Sequence, residues 1–389
     1  MVGGVMGQQL RLGFVISHLG PGGAQRVVRI VANAFAEDGH DVHVMTLFDE
    51  PVDVNELSTH VRRHRLGCRV RQTEEDHEGD GAHMLWRLMR SACRLLINIR
   101  FFTGNVLTLR QTFRAVSPDI VLSFVTLTNL MTILATRGLS VRTVVSERND
   151  LQLDRHDRNV ERLRRCLYPM ADIVTANTHG ALRDLKQFVA ESKLAYVPNP
   201  IAVEASNAIV EYQGPTFICI GRLAYQKGFD TLLKAAKQAF DVLPTWRVAI
   251  LGAGPLQREL ASLADTLGIS GRVDWIGHVS DPFPYLKAAE FFVSTSRFEG
   301  SPNALVEAMS CGLPAIVTDA SPGPLELIGD EEAGVVVPVN DVNATTVAIQ
   351  RLATDRSFRE SLGRMAEVRA RPHRPDIAIK TWRLLLLPT

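Results

Sequence analysis

Short runs of β-branched and apolar residues alternate with segments of helical periodicity along the whole chain. Continuous apolar runs of this kind predict parallel strands that helices cover on both faces. Six predicted strands fall in the first half, at Leu12–Ser17, Val42–Leu47, Ile120–Phe124, Thr143–Ser146, Ile173–Ala176 and Ala195–Val197. Six more fall in the second half, at Thr216–Ile220, Arg247–Leu251, Val273–Ile276, Phe291–Ser294, Ala315–Thr318 and Gly334–Val337. Two such sets predict an α/β protein with two doubly wound, Rossmann-like domains.

The length of 389 residues also suits two domains better than one. Two prolines and a stretch without clear period, within residues 198–214, predict a linker. We therefore expect an N-terminal domain at 1–198 and a C-terminal domain at 199–372, with a helix in 373–389 packing back on the N-terminal domain. Because ligands bind at the carboxyl ends of strands in open α/β sheets, we expect the site in a cleft between the domains.

Composition excludes several classes of protein. The net charge is +1, so bulk charge gives no reason to expect a nucleic-acid partner. The five cysteines are far apart and include no C-x-x-C pair, which argues against a disulfide framework and against a zinc site. The start of the chain lacks the pattern of a signal peptide, and the longest uncharged run, Ile120–Thr136, is short and interrupted by polar residues. A cytoplasmic protein with reduced thiols is expected.

A glycine-rich segment, Gly20–Gly23, follows the first predicted strand, and a helix is predicted from near Ala24. Glycines let the backbone approach a phosphate, and a helix N-terminus favours negative charge. A dinucleotide-binding fingerprint is one alternative, since Asp49 and Glu50 follow the second strand. However, Gln25 stands where that fingerprint needs its third glycine. A glycine-rich turn without a ligand is the other alternative.

Two cations lie on the segment that follows the first strand of the second half. Arg222 is a rigid bidentate donor and Lys227 is a point charge, and a helix is predicted to begin directly after them. This pair suits a diphosphate, whose charge must be neutralised as it leaves. The alternative is ordinary solvated surface. The turn at Gly252–Pro255 is either a ligand contact or a tight strand-to-helix turn.

The stretch from Phe298 to Asp319 is the most informative. Ser301 is predicted as the N-cap of a helix with Pro302 at its first position, and Gly312 is predicted to end it. This arrangement would leave free N–H groups at the helix start for a phosphate.

Three side chains of the same stretch are candidates for ligand recognition. Asn303 and Glu307 are four residues apart and share one helical face, while Glu299 lies just before the helix. Carboxylates accept hydrogen bonds from sugar and ribose hydroxyls. The alternative is an exposed helix with solvated acids.

Together these segments resemble the family-4 glycosyltransferases, which have the GT-B fold of two doubly wound domains facing a cleft. The motifs that carry the resemblance run in the same order through nearly the whole chain: Ala24–Val28, Gly221–Arg222, Gln226–Gly228, Gly252–Pro255, Glu299, Glu307 and Gly312–Pro314. The resemblance implies transfer of a sugar from a nucleotide-sugar with retention of configuration, without a metal or other cofactor. It also implies that the leaving diphosphate, and no carboxylate nucleophile, helps to deprotonate the acceptor.

The resemblance assigns roles to individual residues. Glu307 would hold the ribose, Glu299 would touch the transferred sugar, and the two cations would stabilise the diphosphate. The implied donor-binding residues are Gly22, Gly23, Val279, Asp281, Gly300, Ser301, Pro302, Asn303 and Glu307. The candidate catalytic residues are Arg222, Lys227, Glu299, Glu147 and Arg148.

One departure from the family pattern concerns the segment after the strand Thr143–Ser146. Many members carry a histidine there, whereas this chain continues with Glu147 and Arg148. The Ser-Glu-Arg-Asn form resembles a subset that transfers N-acetylated hexoses onto polyprenyl-diphosphate-linked glycans. Both residues are therefore expected to face the cleft, and an ion pair within a loop is the alternative.

Residues 84–116 contain no acidic residue and six arginines: Arg87, Arg90, Arg94, Arg100, Arg110 and Arg114. A basic amphipathic helix can lie on an anionic membrane or meet a lipid-linked diphosphate. The alternative is a helix of the first domain with its apolar face in the core and its arginines in water.

The sequence thus predicts a retaining glycosyltransferase that moves a hexose or N-acetylhexosamine, from a donor expected to be UDP-linked, to a glycan or lipid-linked glycan in cell-surface polysaccharide or glycoconjugate synthesis. It is expected to lie in the cytoplasm or peripherally on the inner membrane face. Two alternatives stay open: a nucleotide-sugar epimerase, which needs no acceptor, and a non-catalytic nucleotide-sugar-binding subunit.

Overall fold

A computed structural model describes residues 9–20, 22–48, 57–67, 101–148, 151, 158–201, 208–300 and 302–387. They form two compact units, each built around one sheet with helices. The second unit contains residues 196–389 and also two segments from the first half of the chain, 148–155 and 177–184. The C-terminal helix belongs to this second unit, and its packing on the first domain stays a prediction, as do the domain boundaries.

The first sheet has seven described strands in the order β3-β2-β1-β4-β5-β6-β7. The strands are β1 (Arg11–Ile16), β2 (Asp41–Thr46), β3 (Val61–Arg65), β4 (Ile120–Phe124), β5 (Arg142–Glu147), β6 (Ile173–Ala176) and β7 (Leu194–Tyr196). The described helices in this part of the chain are α1 (Gly23–Glu37), α2 (101–116), α3 (Thr126–Thr136), α4 (Arg158–Leu167) and α5 (His179–Leu185), of which α5 belongs largely to the second unit. The strand order changes direction between β1 and β4, so the glycine-rich segment after β1 lies at a topological switch point.

The second sheet has six described strands in the order β10-β9-β8-β11-β12-β13. The strands are β8 (Thr216–Ile220), β9 (Arg247–Leu251), β10 (Val273–Gly277), β11 (Phe291–Ser294), β12 (Ala315–Thr318) and β13 (Gly334–Val337). The helices are α6 (Phe229–Phe240), α7 (Gln257–Thr266), α8 (Phe283–Ala288), α9 (Asn303–Ser310), α10 (Pro322–Ile328), α11 (Val342–Thr354), α12 (Arg356–Ala370) and α13 (Pro375–Leu386). All described strand pairs in this sheet are parallel.

Apolar clusters bury both faces of the second sheet. One cluster joins strand residues such as Phe217 and Val248 to α6, and the other joins Ile218 and Ala249 to α9. Successive strand residues point to opposite faces, so a strand buried on both sides reads as a continuous apolar run. This pattern explains why twelve predicted strands are confirmed to within one residue at each end.

Strand β3 is not predicted from the sequence. It reads Val-Arg-Arg-His-Arg, and Val61 is its one fully buried residue. Because β3 lies at the edge of the described sheet and pairs with β2 alone among the described strands, it needs no continuous apolar run and gives no such signal.

The arginine-rich segment is described only from residue 101 onward, and Arg87, Arg90, Arg94 and Arg100 lie outside the described residues. Arg110 donates to the carbonyl oxygens of Ala135 and Arg137, at 3.0 and 2.6 Å, and so satisfies the end of α3. The side chain of Arg114 is exposed. None of the helices in the described part of the chain is long and apolar enough to cross a membrane.

Two histidines of β2 and β3 form a hydrogen-bonded pair whose stability depends on the pH. His43 Nδ1 and His64 Nε2 lie 2.8 Å apart, and Asp41 Oδ1 lies 3.2 Å from His43 Nε2. One ring must donate to the other, so the pair cannot accommodate a proton on both facing nitrogens. Burial lowers the pKa of His43 and of His64 below the ordinary value of 6.5, and Arg62 lowers both further.

We expect the protein to lose stability as the pH falls below about 6.5. Between the lowered folded pKa values and 6.5 the unfolded chain binds more protons than the folded chain, so the free energy of unfolding decreases as the pH decreases. The midpoint of thermal unfolding at pH 7.5 and 5.5 measures this loss. In His64→Gln, where glutamine can hydrogen bond but does not titrate, the drop should be smaller by about 3 °C. Equal drops in both proteins would contradict the expectation.

Candidate active site

The loops after β8 and β11 meet at the switch point of the second sheet. These two strands are neighbours, and the strand order runs in opposite directions from them. In open α/β sheets this arrangement creates a crevice at the carboxyl ends of the strands. The β8 loop carries Arg222 and Lys227, and the β11 loop carries Glu299, so the structure brings three of the predicted site residues to one edge of the sheet.

Lys227 and Glu299 form an ion pair between the two loops, although 72 residues separate them in sequence. Their side chains are 20% and 13% exposed, so the pair is partly desolvated but still accessible to a ligand. Glu299 Oε2 also accepts from the hydroxyl of Ser296 at 3.2 Å. An ammonium has three donors, so Lys227 can hold Glu299 and still donate to a phosphate.

Arg222 lies on the same loop with its side chain exposed. Its guanidinium has no hydrogen-bond or ion-pair partner among the described residues, whereas its backbone oxygen accepts from Ala224 N at 2.8 Å. An exposed guanidinium on an ordered loop can bind a diphosphate bidentately.

A second arginine, Arg297, links the β11 loop to the β8 loop and to the start of α6, and no sequence pattern indicates this contact. Arg297 Nη2 donates to both carboxylate oxygens of Asp230, at 2.9 and 2.8 Å. Its Nη1 donates to the carbonyl of Tyr225 at 2.6 Å, and its guanidinium lies 4.2 Å from the centre of the Tyr225 ring. Burial raises the pKa of the Asp230 carboxyl. The contacts with Arg297 outweigh burial and leave the pKa below its usual value, so Asp230 is charged.

The glycines of the turn after β9 let that turn lie against the β8 loop. A Cβ on Gly252 would lie 2.0 Å from the carbonyl oxygen of Gly221, and a Cβ on Gly254 would lie 2.4 Å from that of Leu223. Leu223 N donates to Ala253 O at 3.1 Å. The turn therefore supports the loop that carries Arg222, and a direct ligand contact stays a prediction.

Gly228 permits a close approach of the same kind between the β8 and β11 loops. Its φ is +64°, and a Cβ at this position would lie 2.1 Å from the carbonyl oxygen of Thr295. Gly268 has a similar φ of +70°, but no heavy atom lies within 4 Å of its Cβ position.

We expect Gly228→Ala to lower the free energy of unfolding by about 2–4 kcal/mol, because backbone strain and a steric clash add. The control Gly268→Ala introduces strain alone and should cost about 1 kcal/mol. Urea unfolding of the three proteins gives both values. Equal losses in the two variants would show that the contact with Thr295 is unimportant.

Helix α9 begins one residue later than the sequence predicts. Pro302 has φ −75° and ψ 104°, so it is extended and is the N-cap, and Asn303 is the first helical residue. The prediction that Pro302 is the first helical residue is therefore wrong. The predicted cap Ser301 lies outside the described residues. The helix ends at Ser310, and Gly312 follows with φ +76°, as predicted.

The start of α9 presents backbone donors. Pro302 O accepts from Leu305 N and Val306 N, so the helix ladder begins there. The N–H groups of the first helical turn have no acceptor within the helix, and the helix dipole adds positive potential. Gly300, predicted to present its N–H, is half-buried directly before this turn.

Glu307 lies one turn into α9 and is only 2% exposed. Burial is the main cause that raises the pKa of the Cys311 thiol to about 11, and the charges of Glu307 and Asp281 also raise it. Asp281 Oδ1 accepts from Phe283 N at 2.9 Å and so starts α8. Val279 packs against the apolar cluster that contains α9. The structure thus places the segment after β10 beside α9.

The glycine-rich loop of the first unit is described apart from Pro21. Gly22 is the N-cap of α1 and Gly23 its first residue, with no acidic residue in the first turn. His18 Nδ1 accepts from Gly20 N at 3.1 Å, and His18 Nε2 lies 3.3 Å from Gln25 Nε2. The loop is therefore held by side chains of its own segment. Its contact with a diphosphate stays a prediction.

Glu147 is buried inside the first unit, contrary to the expectation of a cleft-facing carboxylate. Its side chain is 0% exposed, and its Oε2 accepts from the hydroxyls of Thr126 and Tyr168, at 2.9 and 2.7 Å. Burial and the nearby Glu147 raise the pKa of Tyr168 well above 10, so this hydroxyl stays protonated and donates. Asn129 Nδ2 donates to the same tyrosine oxygen at 3.1 Å.

Arg148 is also buried, and it belongs to the second unit. It is 6% exposed and donates through Nη1 to Val197 O and to Asn199 Oδ1, at 3.2 and 2.7 Å. Its guanidinium lies 5.3 Å from the ring centre of Trp382 in α13. Glu147 and Arg148 are thus both buried, and each makes polar contacts inside its own unit. Their catalytic roles stay predictions.

Among the described residues, no group of three or more histidine, cysteine, aspartate or glutamate side chains is arranged to hold a metal ion. Cys219 lies in β8, where burial raises the pKa of its thiol to about 12.

Comparisons with known proteins agree with this fold. Residues 22–200 match the family of the glycosyl transferase 4-like domain, and residues 206–369 match the family of glycosyl transferases group 1. The structure of HepE from Anabaena in complex with UDP superposes with a TM-score of 0.76 at 16% identity, and the match covers 97% of this chain and 99% of that one. The two sheets and these matches define a GT-B fold.

Two relatives come from Campylobacter jejuni. The chain is 31% identical to N-acetylgalactosamine-N,N'-diacetylbacillosaminyl-diphospho-undecaprenol 4-alpha-N-acetylgalactosaminyltransferase over 53% of this chain, which spans only 57% of that enzyme. It is 26% identical to the GalNAc-alpha-(1->4)-GalNAc-alpha-(1->3)-diNAcBac-PP-undecaprenol alpha-1,4-N-acetyl-D-galactosaminyltransferase, with 93% of this chain and 94% of that enzyme covered. The chain belongs to the family-4-like glycosyltransferases, in which a glycosyl transferase 4-like domain precedes a group 1 domain.

Proposed function

We propose that this glycosyltransferase moves an N-acetylhexosamine from a UDP-linked donor to a polyprenyl-diphosphate-linked glycan, with retention of configuration and without a metal. The observation that carries the proposal is the pair Lys227–Glu299, which joins the two loops at the switch point beside the exposed Arg222. Two cations and one carboxylate at the carboxyl edge of the sheet suit a diphosphate and the sugar attached to it.

The cations support departure of the nucleoside diphosphate. As the bond between the anomeric carbon and the diphosphate oxygen breaks, negative charge grows on that oxygen. Arg222 and Lys227 would stabilise this charge, and the N–H groups at the start of α9 would add to it.

Retention follows in this proposal from attack on the face that the leaving group occupies. The acceptor hydroxyl oxygen forms the new bond to the anomeric carbon, and its proton passes to an oxygen of the departing diphosphate. No carboxylate nucleophile is required. The ion pair supports this proposal, because it engages the Glu299 carboxylate with Lys227.

The nucleoside would lie between α9 and the segment after β10. Glu307 is nearly buried, so its carboxylate can accept hydrogen bonds from ribose hydroxyls in a site with little water. The solved relative that binds UDP supports uridine as the base. The two Campylobacter enzymes, named for N-acetylgalactosaminyl transfer to undecaprenol-diphosphate-linked glycans, support the sugar and the acceptor.

A transfer assay tests the proposal. The purified protein is incubated with UDP-N-acetylgalactosamine or UDP-N-acetylglucosamine, together with a short polyprenyl-diphosphate-linked glycan and excess chelator. We expect the glycan to gain one N-acetylhexosamine, in α-linkage by NMR, from the α-linked donor. Conversion of the donor to an isomer without acceptor would indicate an epimerase. Donor binding without transfer or hydrolysis would indicate a non-catalytic subunit.

We also propose that the first domain contacts an anionic membrane surface through residues 84–116 on the cytoplasmic side. The exposed Arg114 supports this contact, whereas Arg110 is engaged with the end of α3. Sedimentation with vesicles containing phosphatidylglycerol should carry the protein down at low salt and less at high salt. Equal recovery with neutral vesicles would contradict the contact.

A further inference from the structure

Four buried or half-buried side chains of the second unit form a hydrogen-bonded chain that ends at α9. Arg148 Nη1 donates to Asn199 Oδ1 at 2.7 Å, and Asn199 Nδ2 donates to Asn303 Oδ1 at 2.8 Å. Asn177 Nδ2 also approaches Asn199 Oδ1, at 3.3 Å. Arg148, Asn177 and Asn199 are nearly inaccessible, whereas Asn303 is half-buried at the start of the helix.

The chemistry of arginine fixes the direction of every bond in this chain. A guanidinium donates and cannot accept, so the oxygen of Asn199 must face Arg148. The amide nitrogen of Asn199 then faces Asn303 and must find an acceptor there. Asn303 therefore turns its oxygen toward Asn199 and its NH₂ group away from it. This orientation follows from donor chemistry and does not depend on telling nitrogen from oxygen in the amides.

The backbone of Asn199 is also held in place. Its carbonyl oxygen lies 3.0 Å from Nδ1 of the buried His373, and Ile201 N donates to His373 O at 2.9 Å. These contacts tie both sides of the residue to the short helical turn before α13. These contacts fix the position of Asn199, while its bonds to Arg148 and Asn303 set the orientation of its amide and, with it, that of Asn303.

The NH₂ group of Asn303 has no acceptor among the residues that the structure describes. It stands at the helix N-terminus, beside the loop that carries Glu299. We propose that Arg148 and Asn199 are positioning residues that fix the amide of Asn303 with its N–H groups toward the donor. Asn303 then recognises an oxygen acceptor, either a phosphate oxygen or an oxygen of the sugar. This inference rests on the proposed donor site.

Two substitutions of Asn199 separate this role from simple packing. In Asn199→Asp the side chain keeps its size but can only accept, so Asn303 must turn its NH₂ group toward Asp and its oxygen toward the donor. In Asn199→Ala the amide of Asn303 is released and can still turn its NH₂ group to the ligand. We therefore expect the isosteric variant to bind the donor worse than the truncated one, whereas a packing role predicts the reverse order.

Isothermal titration with UDP and with UDP-N-acetylgalactosamine gives the affinities. We expect Asn199→Asp to weaken binding about 10-fold or more and Asn199→Ala about 3-fold, since one hydrogen bond to a charged group is lost or loosened. Thermal unfolding should show Asn199→Asp at least as stable as Asn199→Ala, because the new carboxylate lies beside Arg148. Equal penalties for both ligands would assign the contact to a phosphate oxygen, and a penalty with the nucleotide-sugar alone would assign it to a sugar oxygen.

Two controls complete the test. If the Asp carboxylate acted only by repelling the diphosphate, its penalty would shrink as salt rises from about 0.05 to 0.5 M, whereas a reversed amide gives a penalty that salt leaves unchanged. Asn303→Asp should weaken binding at least as much as Asn199→Asp. A smaller penalty for Asn199→Asp than for Asn199→Ala would overturn the inference. An unchanged affinity in Asn303→Asp would also overturn the inference, whereas failure of the wild-type protein to bind either ligand would overturn the donor site itself.

Discussion

Replacing Arg222 with alanine is expected to lower kcat for sugar transfer about 100- to 1,000-fold, because a preorganised cation at the developing charge of the leaving group is lost. The free energy of unfolding should not change, since the side chain is exposed and has no partner among the described residues. Initial rates at saturating donor, together with thermal unfolding, measure the two effects.

Two further variants control this prediction. Arg222→Lys keeps the charge and loses the bidentate geometry, so it should recover part of the rate. Arg364→Ala removes an equally exposed arginine from α12, a helix outside the site, and should leave transfer unchanged. Near wild-type turnover in Arg222→Ala would show that the diphosphate role is wrong.

Replacing Glu307 with glutamine is expected to raise the donor KM at least about 10-fold, because a hydrogen bond from ribose to a buried carboxylate is among the stronger ones. Glutamine has nearly the same volume, so the packing of α9 should persist. The effect on kcat should be small, since the contact is the same in the ground state and the transition state.

A ligand lacking one hydroxyl shows whether the lost contact is the ribose. The wild-type protein should bind UDP more tightly than 2'-deoxy-UDP, and Glu307→Gln should bind the two with similar affinity. The change of Glu307 to glutamine and the removal of the 2'-hydroxyl from the ligand then form a double-mutant cycle. Its interaction energy measures the contact between the carboxylate and the hydroxyl. Additive penalties would place Glu307 away from the ribose.

The fold is largely predictable from the sequence because burial on two faces leaves continuous apolar runs. The edge strand Val61–Arg65 is buried on fewer sides and leaves no such run, so it is missed. The start of α9 is misplaced because Pro302 can occupy either side of a helix boundary, and in the structure its ψ of 104° makes it extended. Local preferences therefore locate elements better than they locate boundaries.

The site is predictable as a set of residues but not as a set of contacts. Arg222, Lys227 and Glu299 are recognisable from their positions after strands, yet the pairing of Lys227 with Glu299 depends on strand order. The contact between Arg297 and Asp230 joins residues 67 positions apart, so no local sequence pattern indicates it.

Glu147 and Arg148 are buried, whereas the sequence predicts that both face the cleft. Their sequence context suggests two charged residues after a strand, where exposure is the ordinary expectation. The hydroxyls that surround Glu147, and Asn199 beside Arg148, come from segments distant in sequence. Only the folded structure shows that these charges are internal.

Titration of nucleoside diphosphates against the wild-type protein, Arg222→Ala and Glu307→Gln tests the donor site at the carboxyl edge of the second sheet most directly. Isothermal calorimetry with UDP, GDP and ADP, in the presence of chelator, gives the stoichiometry and the affinities. We expect one UDP per chain, weaker binding of GDP and ADP, and an affinity for UDP that falls at least about 10-fold in each variant. Absence of binding by the wild-type protein, or equal affinities in all three proteins, would contradict the proposed site.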